Sequence, residues 1–271
     1  MCIRDRVTVV DAASFLRDYN EAESLQSRGE SLGEEDNRTV TDLLIDQIEF
    51  ADVIVLNKLD LVTKEQAEEV EAIVKALNPV AEIIPTTQSE VPLNRVLDTN
   101  LFDYAKAEAS AGWIRELQGE HTPETEEYGI GSFTYRTSMP FDGKKIDAFF
   151  EDKLNWNGVL RSKGFFWVAA DHRIAYEWAQ AGGVNAVRPI GFWWSAMPQD
   201  NWQMPEEQRP DNQPDWHETF GDRKQLLVFI GQEMDEEKIR AALDSCYLRN
   251  PLQIPEWTHG QNSKIPSPQL N

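Results

Sequence analysis

The chain has 271 residues, of which 41% are hydrophobic, and its formal net charge is −21. This length and apolar content allow one large domain or two ordinary ones, and they exclude a disordered chain. The charge disfavours nucleic acid and anionic membranes as partners, because both are negatively charged themselves. It suits a protein that handles cations, although a solvated acidic surface explains it more simply.

The cysteines and the hydropathy pattern set further limits. Cys2 and Cys246 stand far apart, which excludes a disulfide framework and a paired-cysteine zinc site. No apolar run approaches the length that a bilayer span requires, and the N-terminal MCIRDR has no apolar signal core behind it. We therefore expect a cytoplasmic protein without a membrane partner.

Apolar runs and helical patterns alternate along the first hundred residues. The predicted order is a strand at 7–12, a polar loop at 21–38, a helix at 39–51, a strand at 52–57, a capped helix from Thr63 to Asn78, a strand at 81–87 and a short helix at 91–98. This alternation predicts an α/β domain over 7–104 with a parallel sheet. In such sheets ligands bind beyond the carboxyl ends of the strands.

The composition changes after an acidic stretch at 105–127, which we interpret as a linker. All nine tryptophans lie beyond residue 112, so a second domain at 128–250 and a polar tail at 251–271 are predicted. This domain is predicted to be α+β and mostly antiparallel, with strands at 129–141, 158–170, 173–182, 185–194 and 225–231. One helix begins near Asp142, with Ile146, Phe149, Phe150 and Leu154 on its apolar face. The other begins at Asp235 and carries Cys246 as a core thiol.

The run IVLNKLD, which ends at Asp60, has the side chains that read guanine. Guanine offers two donors on one edge, its N1–H and its 2-amino group, and the Asp60 carboxylate can accept both. Lys58 would lay its stem over the base, and Asn57 would bond the base and tie the loop down. Thr86 or Thr87, at the end of the next strand, could donate a backbone N–H to the guanine O6. The alternative is a strand that simply ends in a polar turn.

Phosphate binding has no counterpart in this sequence. No stretch fits the pattern G-x-x-x-x-G-K-[ST] of a phosphate loop, and GVLRSKGFF has its two glycines at the wrong spacing. Asp11 ends the first strand, where a magnesium ligand could lie. We favour a strand-end cap at this position.

The sequence offers only weak metal candidates and no catalytic set. None of the four histidines has another His or Cys at ligand spacing. His121 and Glu124, in HTPETEE, are the best candidates, and a solvated acidic linker explains them more simply. No arrangement typical of nucleophilic catalysis is present, so no catalytic residue is assigned.

Several segments together resemble the CobW/YjiA-type GTPases, a family of metal-insertion and zinc-homeostasis proteins. The segments are VTVVDAASF, DLLIDQIEFADVIVLNKLDLV, LNPVAEIIPTT, HTPETEEYGIGSFTYRTSMPF, GVLRSKGFFWVA, GFWW and FGDRKQLLVFIGQ. The resemblance implies a P-loop GTPase sheet with helices on both faces, followed by a smaller α+β CobW C-terminal domain. It implies binding of GTP with Mg²⁺ and of zinc or another transition metal, and delivery of the metal to a client metalloprotein. Asn57, Lys58 and Asp60 match the family's guanine-specificity residues.

The family's P-loop, its Cys-x-Cys-Cys metal motif and its Glu-rich switch segment have no match here. We therefore expect a fragment of a GTPase that is inactive by itself, and no phosphate, magnesium or metal ligand is carried over. The alternative is a non-enzymatic module that binds a protein through the Trp-rich C-terminal domain. In that case an exposed cluster such as Trp193–Trp194 would mark the interface. A homo-oligomer is left open.

Overall fold

The computed structural model describes residues 6–20, 39–102, 112–117, 129–181 and 184–248. The first half contains a three-stranded sheet made of β1 (Val7–Asp11), β2 (Val53–Asn57) and β3 (Glu82–Pro85). Its strands are parallel and lie in the order β1-β2-β3. The predicted parallel α/β arrangement is confirmed.

Three helices connect these strands: α1 (Phe15–Asn20), α2 (Val40–Glu49) and α3 (Lys64–Leu77). The predicted capping box at the start of α3 is present. Thr63 Oγ1 accepts from Gln66 N at 3.3 Å, and Gln66 Oε1 accepts from Thr63 N at 3.0 Å. These bonds satisfy two amides that have no partner within the helix, so they fix where α3 begins.

The three helices contribute to one hydrophobic cluster on one face of the sheet. Val10, Ile54 and Leu56 share that face through the alternation of the strands, and all three are buried. The helix residues in the cluster are Phe15, Tyr19, Ile45, Ile48, Val70, Ile73, Val74 and Leu77. The expectation of helices on the opposite face stays a prediction. On that face Val9, in the edge strand β1, is 58% exposed.

The second half is built on a five-stranded antiparallel sheet. Its strands are β4 (Ile130–Thr137), β5 (Val159–Phe166), β6 (Ile174–Ala181), β7 (Val184–Phe192) and β8 (Gln225–Gln232). They lie in the order β4-β8-β5-β6-β7. The last strand therefore occupies the interior of the sheet, between β4 and β5. The predicted antiparallel α+β domain is confirmed.

Two helices cover this sheet, α5 (Gly143–Glu151) and α6 (Glu236–Ser245), and aromatic rings fill the space beneath them. Trp178 is fully buried and meets the rings of Phe149, Phe150, Trp156, Phe166 and Phe229. Cys246 is buried at the end of α6, as predicted, and burial raises the pKa of its thiol. Most tryptophans of this half are therefore packing residues.

Some predicted elements are wrong in detail. Helix α5 ends at Glu151 and a 3₁₀ turn, Lys153–Trp156, follows it, so Leu154 lies 61% exposed instead of on the apolar face. The predicted helix at 91–98 is a single 3₁₀ turn, Leu93–Arg95. Both 3₁₀ segments, Lys153–Trp156 and Leu93–Arg95, are too short and too polar to sustain an α-helix on their own.

The predicted linker contains a helix, α4 (Gly112–Leu117). Trp113 is buried there against Val228 and Ile230 of β8, so this part of 105–127 packs on the second sheet. The rest of 105–127 lies outside the described residues, and the predicted domain limits stay predictions. Trp193 is also buried, and its Nε1 donates to the Ile174 carbonyl at 2.9 Å. Of the predicted exposed pair Trp193–Trp194, only Trp194 is exposed, at 37%.

The two halves are joined by a buried ion pair. Arg161 of β5 donates to both carboxylate oxygens of Glu49 at the end of α2, at 2.8 and 3.4 Å, and the two side chains are 4% and 1% exposed. Arg161 Nη1 also donates to the Gln180 carbonyl at 3.3 Å, and the Tyr19 hydroxyl donates to the Leu160 carbonyl. The parallel sheet is therefore anchored to the antiparallel one through charged and polar contacts.

Asn78 ties α2 to α3, and we expect Asn78→Ala to lower the free energy of unfolding by about 2 kcal/mol. Its fully buried Nδ2 donates to the carbonyls of Ile48, Glu49 and Ala51, and its Oδ1 accepts from two amides. Asn78→Asp keeps the acceptor and removes the donors, so it should be at least as destabilising as Asn78→Ala. Urea denaturation would measure both, and a milder loss for Asn78→Asp would contradict this account.

Candidate functional site

Two loops lie side by side where β2 and β3 end. Thr86 N donates to the Leu56 carbonyl at 2.9 Å, and Leu59 N donates to the Thr86 carbonyl at 3.3 Å. On the other side of β2, Ala12 N donates to the Asn57 carbonyl at 3.0 Å. The carboxyl ends of all three parallel strands therefore meet at the predicted Asn57–Asp60 segment, at the edge where such sheets bind ligands.

Asn57 joins the two loops through a reciprocal pair of hydrogen bonds with Ser89. Its Nδ2 donates to Ser89 Oγ at 2.7 Å, and its Oδ1 accepts from Ser89 N at 2.8 Å. Asn57 therefore ties the loop down, as predicted, and its Nδ2 keeps a second N–H beyond the one that Ser89 accepts. Ser89 was not predicted from the sequence, and only its position two residues after the threonine pair pointed toward it.

These loops hold an unusual backbone conformation. Lys58, Gln88 and Ser89 have φ angles of 63°, 54° and 57°, and they are three of the six non-glycine residues with positive φ in the described part of the chain. Left-handed conformations cost non-glycine residues about 1–3 kcal/mol, and they persist where surrounding contacts enforce them. Their clustering at these loops supports a functional rather than an incidental turn.

Lys58 and Asp11 form an ion pair across the ends of β1 and β2. Lys58 Nζ lies 2.7 Å from Asp11 Oδ2, and Asp11 Oδ1 accepts from Ala13 N at 3.0 Å. Burial by itself would raise the pKa of Asp11, but the Lys58 ammonium and the Ala13 and Ser14 amides outweigh burial and hold the pKa below its usual value. Asp11 therefore caps the strand end, as predicted, and also binds the lysine.

Asp60 lies in the 3₁₀ turn Leu59–Leu61 that follows Lys58. Its side chain is exposed, and no described residue forms a hydrogen bond or an ion pair with its carboxylate. Both carboxylate oxygens are therefore available to the paired donors of an incoming base. The role of Asp60 in reading guanine stays a prediction.

The two threonines at the end of β3 are not equivalent. The Thr86 N–H is engaged with the Leu56 carbonyl, its hydroxyl donates to the Glu90 carbonyl at 3.0 Å, and the residue is buried. Thr86 is therefore not free to donate its N–H to a base, contrary to that part of the prediction. Thr87 is exposed, and its N–H has no acceptor among the described residues.

The described residues contain no cluster of side chains that could bind a metal ion. Within them no group of three or more His, Cys, Asp or Glu side chains is placed to hold a metal ion. His121 and Glu124 lie outside the described residues. The His217 ring accepts the Thr219 amide at Nδ1 at 3.1 Å, and burial lowers the pKa of His172. No helix in the described ranges has the length and hydropathy of a membrane span.

Two family models match the chain, and each covers one of the two sheets. Residues 2–85 match the CobW/HypB/UreG nucleotide-binding domain, and residues 130–247 match the cobalamin synthesis protein cobW C-terminal domain. The first match contains β1, β2 and β3 with the Asn57–Asp60 segment. The second contains the whole antiparallel sheet and both of its helices.

Two of the curated proteins that are similar to this chain are named for zinc. It is 40% identical over 244 residues to zinc-regulated GTPase metalloprotein activator 1 of Dictyostelium discoideum, with 89% of this chain and 51% of that protein covered. It is 24% identical over 205 residues to the zinc chaperone YjiA of Escherichia coli (strain K12), with 72% and 52% covered. The chain thus spans about half the length of the curated relatives it matches.

Two solved structures of the YjiA GTPase also align with the chain. A Zn(II)-bound triple mutant aligns with a TM-score of 0.38 at 18% identity, covering 89% of this chain and 60% of that one. The Zn(II)-bound protein from E. coli aligns with a TM-score of 0.35 at 17% identity, covering 91% and 62%.

Proposed function

The chain belongs to the CobW family, since its two halves match the family's nucleotide-binding and C-terminal domains, and on this premise we propose a guanine-binding role for it. The whole protein would be a GTP-hydrolysing metallochaperone that couples the GTP cycle to metal transfer. The residues of this chain would recognise the base. Hydrolysis is proposed for the whole protein, and no described residue is given a catalytic role.

The observation that carries this proposal is the Asp60 carboxylate. It follows directly on a loop that Asn57 and Ser89 hold in place, yet no described residue occupies its two oxygens. Guanine places its N1–H and its 2-amino group on one edge, so one carboxylate satisfies both donors. Hypoxanthine, the base of IMP, lacks the 2-amino group, and adenine lacks both donors. Asp60 would therefore discriminate guanine from these two bases.

The neighbouring residues would complete the base site. The Thr87 N–H is the free amide that would donate to the guanine O6. The Lys58 stem would cover one face of the base, because lysine stems pack on apolar surfaces while the ammonium group keeps its polar contacts, here with Asp11. Asn57 would hold the two loops together and also bond the base, since Ser89 takes only one of the two N–H groups on its Nδ2.

Metal delivery belongs to the whole protein. The two relatives are named for zinc, and we propose that the whole protein transfers zinc or another transition metal to a client metalloprotein. Mg²⁺ would accompany the phosphates of GTP. Asp11 does not fit a magnesium ligand here, because Lys58 Nζ and Ala13 N engage its two oxygens. We therefore assign the described residues no zinc or magnesium ligand.

The base-binding role is tested by titrating the 271-residue chain with GMP, IMP and AMP and following backbone amides by NMR. We expect GMP to bind about tenfold more tightly than IMP, because IMP leaves one carboxylate hydrogen bond unmade. AMP should bind more weakly still. In Asp60→Asn, which removes the negative charge with little change in shape, the preference for GMP over IMP should disappear.

The matched control is Asp147→Asn, which neutralises another exposed aspartate, on α5 of the antiparallel domain. This variant should bind the three nucleotides like the unmodified chain. Equal binding of GMP and IMP by the unmodified chain would contradict the proposal, and so would a GMP preference that survives Asp60→Asn.

One observation favours the second candidate, a non-enzymatic module that binds a protein. The edge strand β7 and the turn after it expose apolar side chains, namely Val187, Ile190, Phe192 and Trp194, which are 37–46% exposed. Exposed apolar groups at a sheet edge are typical of binding surfaces. If GMP shifts no backbone amide resonance of the Asn57–Asp60 segment, the protein-binding module becomes the favoured function.

A further inference from the structure

Asp11 lies outside the IVLNKLD run, yet it is placed to control one of its residues. β1 and β2 are in register so that Asp11 stands opposite Asn57, and the chain then turns directly into Lys58. The two side chains meet although 47 residues separate them in the sequence. A carboxylate on the neighbouring strand therefore decides where the Lys58 side chain goes.

The two oxygens of Asp11 have different tasks. Oδ1 accepts from Ala13 N at 3.0 Å, which is all that a strand-end cap requires. Oδ2 is left over, and it accepts from Lys58 Nζ at 2.7 Å. The hydrogen bond from the Ala13 amide to Oδ1 holds the carboxylate in place, so Oδ2 stays in a fixed position for the lysine. Capping by itself does not explain this second contact.

Anchoring matters because Lys58 would otherwise be mobile. Its side chain is 48% exposed, and a free lysine loses rotamer entropy when it is fixed. Binding is stronger when that entropy has been lost before the ligand arrives. The left-handed backbone at Lys58, with φ of 63° and ψ of 35°, fixes the start of the stem, and Asp11 fixes its end.

We propose that Asp11 is a positioning residue for guanine recognition, which anchors the Lys58 ammonium so that the lysine stem stands as a preformed wall of the base site. The proposal rests on the base-binding role argued above for this loop. Asp60 selects the base by its hydrogen-bonding edge, whereas Asp11 and Lys58 shape the slot for the purine plane. Asp11 therefore affects how tightly purines bind, and Asp60 affects which purine binds.

The experiment compares GMP and IMP binding by NMR titration of the full 271-residue chain and its variants. Asp11→Asn retains an oxygen for the Ala13 amide and loses the charge that holds Lys58. GMP affinity should fall about two- to fivefold, the scale of a partly exposed ion pair. The GMP-to-IMP ratio should not change. Asp60→Asn should show the opposite pattern, with a lost ratio.

A double-mutant cycle separates positioning from general structural support. Lys58→Met keeps a stem of similar length without the ammonium, so Asp11→Asn should have no further effect on GMP affinity in that background. The matched control is Glu82→Gln, which breaks a partly exposed ion pair with Arg95. Glu82 is the first residue of β3, at the end of the sheet away from the base site. This control should bind GMP like the unmodified chain.

The possible failures are distinguishable. If GMP does not bind the unmodified chain, the base-binding role and the positioning role fall together. If GMP binds with its preference over IMP and Asp11→Asn leaves the affinity unchanged, only the positioning role of Asp11 is overturned. The same holds if Asp11→Asn weakens binding equally in the Lys58→Met background, because Asp11 would then act without the lysine.

Discussion

Replacing Glu49 by Gln is expected to lower the free energy of unfolding by about 3–5 kcal/mol. The substitution leaves Arg161 charged and buried without its counterion, while the side-chain shape is nearly unchanged. Burial by itself would lower the pKa of the Arg161 guanidinium, but the Glu49 carboxylate outweighs burial and raises it, so the arginine stays charged. The loss therefore reports an uncompensated charge rather than lost volume.

The measurement is urea denaturation followed by tryptophan fluorescence, with the double variant Glu49→Leu/Arg161→Met alongside. Replacing a buried ion pair by apolar residues of similar size is often neutral or stabilising, so the double variant should be far more stable than Glu49→Gln. Asp215→Asn is the matched control. It breaks a partly exposed pair with Lys224 and should cost less than about 1 kcal/mol.

An equal loss in Glu49→Gln and Asp215→Asn would contradict this account of the buried pair. So would a double variant that is less stable than Glu49→Gln. The first result would mean that solvent reaches Arg161 in spite of its 4% exposure, and the second that the buried ion pair stabilises the fold more than an apolar pair does.

The parts of the fold that depend on local patterns could be predicted from the sequence. The strand around Ile54, the capping box at Thr63 and the end of the helix before Asn78 all follow from residues close together in the chain. The same is true of Asp60 and Lys58, because the IVLNKLD run keeps them two residues apart. Local propensity and hydrophobic period suffice for such features.

Features set by residues far apart could not be predicted. The Glu49–Arg161 pair joins positions 112 residues apart, and neither position is unusual in its own segment. The place of β8 between β4 and β5 is likewise fixed by packing, because an apolar strand such as QLLVFIG suits any interior position of a sheet. Sequence periodicity says which strands are buried, and it does not give their order.

The candidate site divides in the same way. The sequence predicted that the ends of β2 and β3 would meet, but it could not tell Thr86 from Thr87 as the amide donor. That choice depends on the register of the sheet, which commits the Thr86 N–H to the Leu56 carbonyl. The contacts of Asp11 with Lys58 and of Ser89 with Asn57 also depend on register, so no local motif reveals them.

Replacing Gly164 by Ala is expected to lower the free energy of unfolding by about 3 kcal/mol, because β5 and β8 leave no room for a side chain there. A Cβ at this position would lie 2.0 Å from the Leu226 carbonyl oxygen and 2.9 Å from the Leu227 Cα. Both neighbours are backbone atoms of the interior strand β8, so neither can move aside without disturbing the hydrogen bonds between the strands.

Gly191 of β7 offers a matched control, because its φ of 158° is nearly the same as the 156° of Gly164 and a Cβ there would meet nothing within 4 Å. Any conformational cost of alanine is common to both sites, so the difference between the variants isolates the steric clash in the sheet interior. Urea denaturation should show Gly191→Ala at least about 2 kcal/mol more stable than Gly164→Ala. Equal losses would mean that β5 and β8 can separate locally to admit a methyl group, and the interior position of β8 would then constrain the sheet less than its burial implies.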